Sequence, residues 1–148
     1  MATSQIGVVR AQIVSSWTAR LATDGITGVT VTGFDPGDEA TKQDRAHIAE
    51  MRSSQQLLTM GAGTRSEDLD IDGVIWILKP GAGQTISKNA EDRALAVFAS
   101  LENALRADTS LSSVFLFGEV AELRSNMMAT PDGILCVAEF TVSGTINL

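Results

Sequence analysis

Pro131-Asp132-Gly133 runs directly into Ile134-Leu135-Cys136-Val137-Ala138-Glu139-Phe140-Thr141-Val142-Ser143-Gly144-Thr145-Ile146, and the fold turns on this stretch. Successive side chains of a strand point to opposite faces, so Ile134, Cys136, Ala138, Phe140, Val142 and Ile146 share one face and Glu139, Thr141, Ser143 and Thr145 lie on the other. The preceding segment, Val114 to about Met128, has strand character as well, and the Pro-Asp-Gly turn between the two makes a long β-hairpin. One face of that hairpin is apolar and requires a covering layer.

The covering layer is found in two helical stretches. Ile6, Val9, Ile13, Trp17 and Leu21 recur at spacings of three and four, which predicts an amphipathic helix from about Ser4 to Ala22, stopped by Asp24-Gly25. A second helix starts near Ser87 as its cap, with Glu91 and Asp92 in its early turns and Ala94, Val97, Phe98, Leu101, Ala104 and Leu105 on its core stripe. Gly28 to Phe34 reads as a half-buried strand, ended by the turn Asp35-Pro36-Gly37. Residues 38–52 suit either a solvated helix or a strand, and the alternation of Ala46 to Met51 favours a short strand. Gln55 to Met60 and Leu69 to Lys79 form a strand pair linked through Gly61-Ala62-Gly63, with Leu69, Ile71, Ile75 and Ile77 on one face. Helices and strands do not alternate strictly. The expected fold is therefore α+β: a mainly antiparallel sheet with two helices packed on one face, ending in the C-terminal hairpin, as a single domain over residues 1–148.

With 148 residues, 44% apolar and 20% charged, the chain has the composition of one globular domain. Eighteen acidic residues against eleven basic give a net charge of -7, which argues against a phosphate-gripping surface. The single cysteine, Cys136, excludes an internal disulfide framework and a multi-cysteine zinc site. The longest strongly apolar run, Val74 to Leu78, falls far short of the roughly 20 residues a membrane span needs, so no membrane partner is expected. The first 23 residues carry Arg10 and Arg20 and no acid, but they lack the apolar block of a secretory signal.

The chemical motifs fail one by one. Asp68-Leu69-Asp70-Ile71-Asp72-Gly73 matches the first half of a calcium loop, yet Lys79 stands where the bidentate glutamate belongs and the flanks read as strand. Gly81-Ala82-Gly83-Gln84-Thr85 lies between a strand and a helix, but Gln84 replaces the phosphate-reaching lysine and Ile86 the third glycine of a dinucleotide fingerprint. His47, flanked by Asp44 and Glu50, reads as a surface histidine whose acidic neighbours scatter to the opposite face of a strand. Cys136 sits on the apolar face, where a thiol has a raised pKa and poor access. No nucleophile elbow and no second histidine are present for a catalytic triad. Neither a catalytic residue nor a cofactor or metal site is expected. What remains is a set of long strand edges and an acidic surface, the equipment of an assembly subunit.

Three stretches together resemble the tail terminator proteins of long-tailed bacteriophages, also called minor tail or tail completion proteins. The N-terminal helix running into Gly28-Val29-Thr30-Val31-Thr32 is similar to the family's opening. The segment from His47 through Ser54-Gln55-Gln56, Met60-Gly61-Ala62-Gly63, Arg65 and Glu67 to the strand Leu69–Leu78 resembles its middle strands. Ala90 to Leu105, then Ala107-Asp108-Thr109-Ser110-Leu111 and the strand Val114–Leu123, resembles its second helix and the following "ADPTLGG" type turn. Thr109 takes the place of the proline there, and Ser112-Ser113 that of the glycines. The resemblance implies a homohexameric ring at the head-proximal end of the tail tube, in the virion's head-tail junction after assembly in the host cytoplasm. Such a ring stops tube polymerisation, and its partners are itself, the tube protein and the head-tail connector or stopper, with DNA passing through unbound. On this reading Gln56, Arg65 and Glu67 are candidate subunit or tube contacts. Asp35, Asp38, Glu39, Asp68, Asp70 and Asp72, with Asp44 and Glu67, are candidate bore-lining acids that repel phosphate. Rival readings are another junction ring, a tube subunit, or a small-ligand or nucleotide-binding protein using the Gly81–Thr85 loop.

Overall fold

The computed structural model describes residues 6–37, 44–57, 65–107 and 115–147. Its elements run α1 (Ile6–Thr23), β1 (Val29–Thr32), β2 (Asp44–Leu57), β3 (Arg65–Lys79), α2 (Gln84–Ala107), β4 (Leu116–Thr130) and β5 (Gly133–Asn147). The five strands form one sheet in the order β1-β2-β3-β5-β4. All neighbours are antiparallel except β1 and β2, which are parallel. Both helices pack on one face, as the α+β reading requires.

The hairpin forms as the alternation predicts, with Thr130 paired to Gly133 across Pro131-Asp132. Its apolar face is buried: Cys136, Ala138, Phe140, Val142 and Ile146 join Leu69, Ile71, Ile75 and Ile77 of β3 and Ala46 and Ile48 of β2 in one core. The expected helix stripes supply the other half, with Val9, Ile13, Trp17 and Leu21 from α1 and Ala94, Val97, Phe98, Leu101 and Leu105 from α2. Burying each of the large side chains is worth about 1.5–3 kcal/mol, which is why this stripe fixes the helices on the sheet. Trp17 anchors the layer twice. Its indole Nε1 donates to the Val97 carbonyl of α2 at 3.0 Å, and its ring meets Phe140 edge-on at 5.8 Å.

The stop signal at Asp24-Gly25 works as expected. Gly25 takes φ +74°, its N–H donates to the Ala22 carbonyl, and the Ile26 N–H reaches back to the Leu21 carbonyl at 2.9 Å. That pair of bonds closes a helix through a left-handed residue. The start of α2 differs from the sequence reading. The Gly83 carbonyl accepts the first helical bond, from the Ser87 N–H at 3.1 Å, so Gly83 is the cap and Ser87 lies inside the first turns. Glu91 and Asp92 are thereby moved beyond the turn where the helix dipole acts, and that first turn holds no acid.

Ala46–Met51 and the first part of the stretch expected at Gln55–Met60, read as separate strands, belong to one: β2 runs from Asp44 to Leu57, which resolves residues 44–52 in favour of strand, and residues 58–60 lie outside the described residues. A bulge between Ile48 and Glu50 keeps its apolar residues on the core side. The glycine turn expected at 61–63 lies outside the described residues.

Candidate interaction surface

The face of the sheet away from the helices is where the acids collect. On β3, Leu69, Ile71 and Ile75 point inward, so Asp68, Asp70 and Asp72 point outward at every second position. β5 lies alongside in register, with Asp68 opposite Thr145, Asp70 opposite Ser143 and Asp72 opposite Thr141. Each hydroxyl donates to its carboxylate: Thr141 Oγ1 to Asp72 at 2.6 Å, Ser143 Oγ to Asp70 at 2.6 Å and Thr145 Oγ1 to Asp68 at 3.1 Å. The result is a ladder of cross-strand pairs, spaced along the strand in place of converging on a point. No group of three or more potential metal ligands is found among the described residues.

Two arginines flank the ladder. Arg52 on β2 grips Asp72 with both terminal nitrogens, at 2.5 and 3.3 Å, and lies 3.4 Å from Glu50. Arg124 on β4 holds Glu139 of β5 at 2.7 Å and Glu122 of its own strand at 2.9 Å. Between them the sheet dips into a depression of about 370 Å³ lined by Glu50, Arg52, Asp72, Glu122, Arg124 and Glu139, with Gly73 and Val74 at its floor. The bulge in β2, beside Gly73–Asp72, and the one in β4 between Val120 and Glu122, beside Thr141–Val142, fall on adjacent crosswise rows that meet at the Asp72–Thr141 pair. The hydrogen bond from Arg52 holds the Asp72 carboxyl below the usual range; burial opposes this and Thr141 adds to it. Glu50, Asp68, Asp70, Asp72, Glu119, Glu122 and Glu139 thus share one face; among the described residues the exposed guanidiniums of Arg52 and Arg124 offset them there, while Arg45, on the same side of β2, is buried.

The other candidates are scattered. Asp35 is exposed beyond the sheet, where its carboxylate accepts the Gly37 N–H at 2.9 Å. Asp38 and Glu39 lie outside the described residues. Asp44 is not a free surface acid: it accepts the Leu78 N–H of β3 at 3.0 Å and pairs with Arg93 of α2 at 2.6 Å, pinning the helix to the sheet. Glu67 is fully buried on the core side of β3 and faces neither solvent nor an open bore in the isolated chain. Gln56 and Arg65 sit near the ends of β2 and β3 that join through residues 58–64, where Gln56 pairs with Ser66 and Arg65 with Leu57.

Three features escaped the sequence reading. Glu119, Glu122 and Arg124 face outward together because bulges shift the phase of β4, which strict alternation misses. His47, expected at the surface, is buried at 4% exposure, as is Arg45, and the β1–β2 connection reaches this region through Gly37, whose carbonyl takes the Arg45 guanidinium at 3.1 Å. The bulge after Ile48 also brings Glu50 to the same face as His47. Burial pushes the His47 imidazole below its ordinary pKa, Asp35 opposes this, and Arg45 reinforces it. Cys136 behaves as expected, fully buried with its thiol pushed up to about 11 by burial and by Glu91.

No helix among the described residues is long and apolar enough to cross a membrane. No family model matches the chain, and no curated protein matches its sequence. Among solved structures 28 chains match. One is a chain of the structure described as the virion of a native gene transfer agent (GTA) particle, with a TM-score of 0.54 and 16% identity over 94% of each chain. The shared property is the fold.

Proposed function

We propose that this chain is a structural virion protein that closes the head-proximal end of a phage tail tube as a homohexameric ring and offers the head connector its docking surface. The observation that carries the reading is the likeness of fold, over 94% of both chains, to a component of a gene transfer agent virion. The resemblance of the helix–strand opening, the middle strands and the second helix to tail terminators supplies the finer role. The sheet supports it physically. β4, a 15-residue strand, borders one side, and β1, of four residues, the other. Edge strands carry unpaired backbone groups, and a closed ring of head-to-tail contacts lets each neighbour cover them. The role requires no catalysis, only tighter binding to the last tube ring than another tube subunit achieves, with an opposite side the tube protein cannot extend.

Within the ring, the acidic sheet face with Asp68, Asp70 and Asp72 lines the bore. Seven carboxylates against two exposed guanidiniums keep passing DNA from adhering, the reverse of the attraction that drives non-specific binding. Electron microscopy of the purified chain mixed with growing tail tubes tests the main reading. Density at one end and arrested growth are expected; incorporation along the tube, or no association, refutes it. Replacing Asp68, Asp70 and Asp72 together with Asn should raise retention on DNA–cellulose at low salt. Unchanged retention, or a ring whose acids lie on the outer rim, removes the bore assignment.

A further inference from the structure

Arg45, His47 and Trp76 form a cluster for which the ring reading has no use. Arg45 and His47 lie on the outer side of β2, each 4% exposed, and Trp76 stands directly across from Arg45 on β3. The guanidinium carbon of Arg45 is 4.0 Å from the centroid of the Trp76 ring, and Nη1 donates to the Gly37 carbonyl, tying the turn Asp35-Pro36-Gly37 to the sheet. The Asp35 carboxylate in turn accepts the Gly37 N–H. Three buried nitrogens of the cluster, Arg45 Nε, His47 Nδ1 and Trp76 Nε1, have no hydrogen-bond partner among the described residues. A buried polar atom without a partner has lost its water and gained nothing in return, so the closed arrangement is held with little to spare.

We propose that this cluster is an acid-released anchor: when His47 takes up a proton, a second buried cation stands beside Arg45, and the Asp35–Gly37 turn comes free of the sheet. The charged groups acting on His47 among the described residues are Asp35, from the turn, which favours the imidazolium, and Arg45, from its own strand, which opposes it. Its cross-strand neighbours, Thr32 on β1 and Val74 on β3, bring no charge. Burial outweighs Asp35, so the closed form prefers the neutral ring, whereas a released and hydrated His47 titrates near its ordinary value of about 6.5. The sign follows. Above that value the anchor is intact. As pH falls below it, the closed-to-released ratio drops by up to about tenfold per pH unit, until the closed form also takes up the proton.

The chain contains one histidine, so its imidazole resonances are followed by proton NMR in the unmodified protein without ambiguity. Amide exchange over residues 29–37, corrected for the intrinsic pH dependence, reports release of the turn. The expected result is an apparent pKa below 6.5 and faster exchange over the same pH range, with the rest of the sheet unchanged. In Asp35→Asn, which keeps the acceptor for the Gly37 N–H, the imidazole should titrate lower still. His47→Gln should lose the acid-dependent exchange. A histidine titrating at or above its ordinary value, exchange that ignores pH, or the same acid response in His47→Gln overturns the proposal. Should His47→Gln fail to fold, the unmodified protein decides alone: exchange and histidine midpoints that do not coincide refute the coupling. None of these readouts involves tail tubes, so the anchor and the ring reading stand or fall separately.

Discussion

Gly73 is the position at which a single methyl group tests the packing most severely. It faces the core in the middle of β3, opposite Phe140 of β5, and a Cβ built there meets three atoms of that ring at 2.2, 2.7 and 2.8 Å. Real Cβ contacts are longer, so Gly73→Ala requires the ring to retreat. It has nowhere to go: Trp17 meets it edge-on at 5.8 Å, Phe98 lies tilted at 5.2 Å, and Phe140 is 2% exposed. Overpacking of this kind costs about 1–3 kcal/mol. Alanine also suits a strand better than glycine, by about 0.5–1 kcal/mol. The net expectation is a loss of about 0.5–2 kcal/mol, or several degrees in Tm at about 2–4 °C per kcal/mol for a chain of this size. A double-mutant cycle isolates the cause. In a Phe140→Leu background the ring tip is gone, so adding Gly73→Ala should be neutral or slightly stabilising, a change of sign. Urea unfolding followed by far-UV circular dichroism supplies the four stabilities, compared at equal m-value. An equal cost for Gly73→Ala in both backgrounds would refute the assignment of this glycine to the Phe140 ring.

Leu101→Ala removes a 1%-exposed side chain from the core stripe of α2 and should cost about 2–5 kcal/mol by urea unfolding; an unchanged midpoint would mean the stripe faces elsewhere. Asp72, its pKa held down by Arg52, contributes stability that is complete above the unfolded value of about 4 and fades as pH falls through the lower folded value. Asp72→Asn should therefore lower stability at neutral pH and flatten its decline in acid, read from unfolding midpoints between neutral pH and pH 2. Cys136, with its thiol pushed up to about 11 and no surface exposed, should resist a disulfide reagent in the native protein and react at once in denaturant; rapid native labelling would contradict its placement.

What the sequence reveals and what it hides divide along a physical line. Cys136, Ala138, Phe140 and Val142 on β5, and Val9, Ile13 and Trp17 on α1, were legible because their burial follows the period of their own element. Asp68, Asp70 and Asp72 were legible in the same way, as the complement of Leu69 and Ile71. Glu119 and Glu122 were not, since they are three apart and share a face only because β4 bulges between Val120 and Glu122 against β5. A bulge belongs to a pair of strands, and no single strand's pattern contains it. His47 and Arg45 were hidden for a related reason. Their outward phase on β2 is correct for a solvated face, and their burial comes from elsewhere, in a region that the turn at Gly37 touches. The ladder of hydroxyls on Asp68, Asp70 and Asp72 lies between these extremes. Both halves, Thr141-Val142-Ser143-Gly144-Thr145 and Asp68-Leu69-Asp70-Ile71-Asp72, alternate visibly, but only the β3–β5 register matches them one to one. That register also bears on the proposed function. Each of the three carboxylates accepts a hydrogen bond from the hydroxyl opposite it, and Asp72 pairs with Arg52 besides, so the acids are spread as a row along the sheet face, the arrangement on which the proposed DNA-repelling bore rests.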